Sequence, residues 1–545
     1  MPSVLLSGTP SEAPLQSELE DYMSRGIDDK DEGKSTTEGV GKLATDVLGL
    51  AHYEELVQWL ATFQALFFAA DQASIRVMSQ PLSKPGFPLR ASIRLETSDP
   101  QVVAGGTRVF GEYHSASAGA GAAADDHGDI LRFCEGALQV FKAQPARCFS
   151  HGFLLCGTTL ELWVFDRSGA YSSEKLNLAG RPGLLVQTLA SYAMMSDEEV
   201  GFNTFVKRLG SGSDSYVTFD QHNKLHLRTK LIAAPGYLVG LGTTCYAASA
   251  SATGQPDVVV KFSWREETTH TELRQLKRAR ECNVWGVIRL VGDRELANIA
   301  DLRRGLQFPQ PFINRTLSCV ATTPLGRPIQ KWTSLPELLE VLRDLVRALK
   351  SLYIDAGIIH RDICIKNLII ALQPSADSPK GVLIDFDQAL ELKHAHATEP
   401  LVGSDGFMAI GILSGQKHTY RHDLESLFYV FLWLAIGNDH EHDDANDILN
   451  GIPKTSRLWA WCSLNFRAVG REKATDMSPR GFSRMLGEFS ADFAPLRGLA
   501  EELHALMFPL RDGKIFTGTE TEQAAAKQLY DEMAGAFDRA ALAFQ

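Results

Sequence analysis

His360-Arg361-Asp362 is followed by Asn367 five residues after the aspartate, the H-R-D-x-x-x-x-N spacing of a phosphoryl-transfer loop. In that geometry Asp362 accepts the proton of an attacking hydroxyl, and Asn367 turns its amide oxygen toward a metal ion bridging the phosphates of ATP. Lys366, four residues after Asp362, can neutralise the phosphate in transfer. Eighteen residues beyond Asn367, Leu383-Ile384-Asp385-Phe386-Asp387 ends an apolar strand in a carboxylate, where a second Mg²⁺ ligand belongs. Upstream, the β-branched run Asp257-Val258-Val259-Val260-Lys261 ends in a lysine suited to grip the α and β phosphates. Gly240 and Gly242 lie about twenty residues before it and fit a turn closing over phosphates. A plain hairpin would carry the same two glycines, since Cys245 occupies the third place. A carboxylate on the helix after Lys261 is needed as its partner; Glu272 is the choice, with Glu266 and Glu267 as competitors.

The elements that must hold these groups are written around them. Ser334 and Glu337 form a capping box, Pro336 sits in the first turn, and Leu338, Leu342, Leu345, Leu349 and Leu352 make one apolar face. Gly357 stops that helix just before the catalytic loop. Leu368–Leu372 and Val382–Ile384 read as a strand pair that presents Asp385. The apolar helix opening at Asp423 buries a carboxylate able to hydrogen-bond the backbone of the loop at His360 and Arg361.

At 545 residues the chain exceeds the size of a single core, so two or three domains are expected. Residues 1–43, polar and poor in large apolar side chains, read as a disordered tail. An α+β domain is expected over 45–205, with helices near 48–68 and 130–141, strands at 152–156 and 159–165, and a flexible Gly/Ala-rich loop over 116–128. A strand-rich lobe over 215–326, a helical lobe over 327–510 and a helical extension over 511–545 complete the α+β organisation. The net charge of −12 argues against general affinity for nucleic acid or anionic membrane. Eight dispersed cysteines, without metal-like spacing, read as reduced thiols. With no signal-peptide pattern, and Leu427–Gly437 about half a bilayer span, an intracellular protein, cytoplasmic or nuclear, is expected.

Across roughly Arg147 to Trp433 the chain resembles the fungal-type protein kinase family. The resemblance is carried by Leu162–Gly169, Leu325-Gly326-Arg327-Pro328, Ser351-Leu352-Tyr353, the loop at His360–Ile363, Ile384–Asp387, Phe407–Ile410 and His418–Ser426. It implies a two-lobed kinase fold, ATP with Mg²⁺, and transfer to a protein hydroxyl, with serine or threonine expected and tyrosine left open. Three positions depart from wider kinase patterns: Cys364 stands where serine/threonine kinases carry a lysine, Asp387 replaces a glycine, and Gly411 replaces a glutamate. They leave a pseudokinase scaffold, or a small-molecule phosphotransferase of related fold, as alternatives. Arg361 beside Asp362 suggests control by phosphorylation of the following segment, with Thr398 and Ser404 as candidates. In the leading domain Glu112-Tyr113-His114 is similar to the Glu-x-Lys strand of a nuclease-like fold, with histidine in place of the lysine; nuclease chemistry is not expected there. Asp166-Arg167 reads as a turn with a structural ion pair.

Overall fold

The computed structural model describes residues 5–7, 46, 53–67, 73–79, 90–97, 106–114, 126–179, 181, 183–208, 215–220, 224–266, 272–308, 311–372, 377–394, 401–437, 451–462, 465–520 and 522–544. They form mixed α and β structure in two compact units, one of residues 1–256, 260–267 and 293–320, the other of 257–259, 268–292 and 321–545. Residues of the strand-rich segment 215–326 fall in both units.

The first unit opens on a sheet in the order β1-β7-β6-β5-β4-β3-β2: Leu5–Ser7, Gly169–Ser172, Thr159–Asp166, Ser150–Cys156, Thr107–His114, Arg90–Thr97 and Ala73–Ser79. Alternation along the strands sorts its side chains onto two faces. Ile93, Leu95, Val109, Tyr113, Phe153 and Leu155 pack with Leu56, Trp59, Leu60 and Phe63 of helix α1 (Tyr53–Phe67) and Leu185 and Leu189 of α3 (Gly183–Met194). Phe110, Leu154, Trp163 and Phe165 pack with Phe133, Ala137 and Val140 of α2 (Asp126–Ala143) on the other face. Two expectations change here. Leu5–Ser7, within the stretch read as a tail, pairs in parallel with β7. Helix α2 begins at Asp126, inside the stretch read as loop, while 115–125 and most of 1–43 lie outside the described residues. Strands β2 and β3 had no assignment from sequence.

A second sheet runs β14-β15-β13-β12-β11-β10-β9, from Arg289–Asn298 through Arg315–Thr323, Val258–Glu266, Thr244–Ser249, Lys224–Ala233 and Ser215–Thr218 to Lys207–Arg208. The turn Asp166-Arg167 is anchored within this unit by the segment that follows β14. Arg303 makes two hydrogen bonds of 2.7 Å to Asp166, fully buried, with its guanidinium over Tyr171, Phe308 and Phe312. The structural ion pair expected at this turn thus has Arg303 as its basic partner.

The second unit is built on helix α5, Leu335–Ala356, whose five periodic leucines are all buried. The Ser334 side chain accepts from the Glu337 N–H at 3.3 Å. Glu337 reaches Thr333 (2.8 Å to both N–H and hydroxyl) and Arg327 instead of the Ser334 N–H, so the capping box is half made. Helix α6, Tyr420–Ile436, is buried along its whole length, as its apolar sequence requires. Helix α10, Gln523–Leu542, expected to be an extension, belongs to this core: Tyr530 is buried against Tyr353 and Tyr420, and Asp538 pairs with Arg343 and Arg347. A short hairpin, Leu510–Arg511 with Lys514–Ile515, precedes it. No described helix is long and apolar enough to cross a membrane.

Candidate active site

The C-terminal cap of α5 at Gly357 delivers the chain into β17, Ile358–Ile359, and the next residues turn sharply, Arg361 adopting φ 70°. Such a left-handed backbone is unfavourable for arginine and persists only when the surroundings fix it. Asp423, at the start of α6, does so: its carboxylate accepts from the N–H of His360 at 2.7 Å and of Arg361 at 3.0 Å, and from His418 at 2.9 Å. The loop is further fixed by the His360 ring, 3.1 Å from the Ile384 carbonyl and packed on Phe386.

Asp362 is held from two sides. The Asn367 amide donates to its carboxylate at 3.0 Å and to its backbone carbonyl at 2.9 Å, and the Ser404 hydroxyl donates to the other carboxylate oxygen at 2.7 Å. With its NH₂ committed to Asp362, Asn367 has its amide oxygen left for a cation. Cys364 is buried; desolvation, then the Asp362 charge, push its thiol up to about 11, so it stays neutral. Lys366 is exposed on the turn Ile365–Asn367 and adds a positive charge to that of Arg361 on this loop. Ser404, a candidate phosphorylation site from sequence, is engaged with the carboxylate of Asp362, beside which a phosphate would meet like charge; Thr398 lies outside the described residues.

Strands β18 (Leu368–Ala371) and β19 (Gly381–Leu383) pair in register Leu368↔Leu383, as the sequence predicts, with Gly326–Pro328 as a third strand β16. They present Asp385, where φ is 63°; the left-handed residue is thus Asp385 and not Asp387, so the missing glycine at 387 costs no backbone freedom. Carboxylate oxygens of Asp385, Asp387 and Glu272 lie within 4.8 Å of one another. Glu272 begins helix α4 (Glu272–Glu281) and also accepts from the Phe386 N–H at 3.4 Å. Carboxylate oxygens are the hard ligands that Mg²⁺ takes. The cluster could hold a divalent ion; it contains Asp385, named as a ligand from sequence, together with Asp387 and Glu272, which the sequence reading did not name as ligands.

Lys261 lies on β13 and Gly240 and Gly242 lie ahead of β12, all in the first unit. The glycine turn is bound to the leading sheet. Arg167 donates to the carbonyls of Tyr237 (2.9 Å) and Leu238 (3.1 Å), and the Gly240 N–H donates to the Arg167 carbonyl at 2.9 Å. A Cβ on Gly242 would sit 2.6 Å from the Arg167 guanidinium, so this glycine is required by packing. Between the glycines, the Leu241 carbonyl accepts from Trp264 on β13 at 2.7 Å.

The segment Gly403–Leu413 is anchored without the glutamate absent at Gly411. A Cβ there would lie 2.4 Å from His422 Nε2, which excludes any side chain. Glu425, buried in α6, accepts instead from the Ile410 N–H at 2.7 Å and the Tyr429 hydroxyl at 2.7 Å. Lys473, on helix α7 (Phe466–Asp476), donates to the carbonyls of Gly406 (2.8 Å) and Met408 (2.7 Å), its ammonium 4.1 Å from the Tyr429 ring centre. Nothing in the charged surroundings of Lys473 in sequence marks it as buried. Desolvation pushes it down to about 7, opposed by the charge of Glu425. Lys473→Met is expected to orphan two carbonyls, each worth roughly 1–3 kcal/mol, and to raise amide hydrogen exchange in 403–413 at least several-fold. Exchange mass spectrometry that finds this segment as protected as in wild type refutes the clamp.

His422 adds a pH dependence. Its Nδ1 accepts from the Thr419 N–H at 3.0 Å, and burial, then the charges of His418 and Arg421, push it down from 6.5 to about 3. Above the unfolded value neither state binds the proton. Below it the unfolded chain does and the fold does not, so stability falls as pH drops from 6.5 toward about 3. The slope from this group is at most about 1.4 kcal/mol per pH unit. Urea unfolding at a series of pH values should show a shallower acid slope for His422→Gln than for wild type.

A helix-capped catalytic loop and a strand pair presenting an aspartate are elements of a protein kinase, while Lys261 lies inside β13, which runs on to Glu266 rather than ending at the lysine. The sequence matches the fungal protein kinase family over residues 108–435, more than half of the chain, and the protein belongs to that family.

Proposed function

We propose that the protein transfers the γ-phosphate of ATP to a serine or threonine hydroxyl of a protein substrate. The observation that carries this is Asp362, oriented by Asn367 on one carboxylate oxygen and Ser404 on the other. So held, Asp362 is aligned to accept the hydroxyl proton as the nucleophile attacks, which supplies positioning and base catalysis together. Lys366 offers its charge to the phosphoryl group in flight, and Lys261 is assigned the α and β phosphates from its place on β13. Asn367 and Asp385, with Asp387 beside them, would hold Mg²⁺, which when bound neutralises charge developing on the phosphate oxygens. The anchored segment after Ser404 suits an extended protein substrate. Transfer from labelled ATP to generic protein acceptors tests the reading, with wild type compared with Asp385→Asn. Label incorporated by wild type and lost in the variant is the expected result; no incorporation by wild type favours a binding scaffold instead.

A further inference from the structure

Glu112, His114 and Cys156 lie on one face of the leading sheet for a reason visible in its register. Residues two apart on a strand share a face, which puts Glu112 beside His114 on β4. β5 runs parallel to β4 with His114 opposite Cys156 and Glu112 opposite Leu154. The turn after Cys156 is fixed as well, the Gly157 N–H donating to the His114 carbonyl at 2.9 Å. Cys156 Sγ lies 3.8 Å from His114 Nδ1, and His114 Nε2 lies 3.4 Å from Glu112 Oε2. The histidine and the glutamate are buried, at 6% and 7% exposure, while the cysteine is exposed. The thiol and the carboxylate meet opposite nitrogens of the ring, so one metal ion cannot be bound by all three through it. The arrangement is a relay, with a nucleophile next to a base and the base oriented by a third group.

We propose that Cys156 is a nucleophilic thiol, activated by His114 and Glu112, that reacts with hydroperoxides. The Cys156 proton passes to His114 Nδ1, and the resulting imidazolium is held by the Glu112 carboxylate at Nε2. The thiolate attacks the distal oxygen of the peroxide; an S–O bond forms, the O–O bond breaks, and the departing oxygen takes the proton from His114. Sulfur loses two electrons and the peroxide gains two, leaving a sulfenic acid and water or an alcohol. The other cysteines are half-buried or buried, and burial pushes Cys148 up to about 12, as it does Cys364 to about 11. The site therefore stands apart from the rest of the thiols in the chain.

The test uses the full chain with two probes, iodoacetamide alone and hydrogen peroxide followed by dimedone, each read at Cys156 by peptide mass spectrometry. In wild type the pH midpoint of Cys156 alkylation is expected at least about one unit below the ordinary thiol value near 8.5. At about pH 7 the rate should be roughly ten-fold higher than in His114→Gln, with the isosteric Glu112→Gln between the two. Peroxide should give a dimedone adduct at Cys156 that is lost in both variants. Circular dichroism reports whether each variant folds, and the wild-type midpoint needs no variant at all. A wild-type midpoint near that of an ordinary thiol, or equal rates in wild type and a folded Glu112→Gln, overturns the proposal.

Discussion

Asp362→Asn should reduce phosphoryl transfer by about 10²–10⁴-fold, the usual worth of a positioned general base, while leaving thermal unfolding nearly unchanged. The amide is isosteric with the carboxylate, and the oxygen that accepts from Asn367 or Ser404 can be retained on one side. What it cannot do is take the hydroxyl proton. The loop survives because it is fixed from elsewhere: Asp423 holds the backbone at His360 and Arg361, and the Ile384 N–H donates to the Asn367 carbonyl at 3.0 Å. The two readouts are separable for that reason. Initial rates with a protein acceptor and a melting curve on the same preparation decide the matter. A variant that keeps wild-type rates removes Asp362 from the chemistry, and one that loses its fold makes the residue structural.

The parts of this site legible in the sequence are those whose function depends on local order. His360, Asp362 and Asn367 lie within one turn and a loop, so spacing alone fixes their relation, and the helix before them announces itself through five leucines and its caps. Helix α6 was likewise readable, its buried aspartate standing out at the start of an apolar run. What spacing cannot convey is partnership across long separations. Lys473 reaches Gly406 over 67 residues, and Arg303 reaches Asp166 over 137. Both arginine and lysine are ordinarily surface residues, and each is buried here only because carbonyls, a carboxylate or aromatic faces surround it. Gly242 shows the complementary ambiguity. Its type suggested a close approach by phosphate, and a side chain of the leading sheet, Arg167, also packs close against it. The register that places Cys156 opposite His114 was hidden for a further reason, since β4 and β5 are joined through α2 and parallel pairing leaves no turn signature to count from.

Loss of Asp423 should cost stability and activity together. Burial by itself would raise its carboxyl, but the hydrogen bond and charge of His418, with the charge and backbone N–H of His360, hold it below the ordinary 3.8. A group depressed in the fold contributes stability above its unfolded value and loses it as pH falls through 3.8 toward the folded value, a window that opens lower than that of His422 and overlaps its acid end. Asp423→Ala deletes the acceptor for two buried N–H groups and leaves His418 without its carboxylate, which should cost about 3–5 kcal/mol. Asp423→Asn keeps one acceptor oxygen and should cost roughly 1–3 kcal/mol. Freed of its support, Arg361 can relax from φ 70°, and that rotation swings Asp362 away from the position fixed by Asn367. A displacement of about 1 Å is enough to lower transfer by roughly 10²-fold, so both variants should be slow even after correction for the folded fraction. Urea unfolding with activity measured on the same samples separates the two effects. Equal midpoints for wild type and Asp423→Asn would mean that the left-handed turn at Arg361 is fixed by something other than this carboxylate.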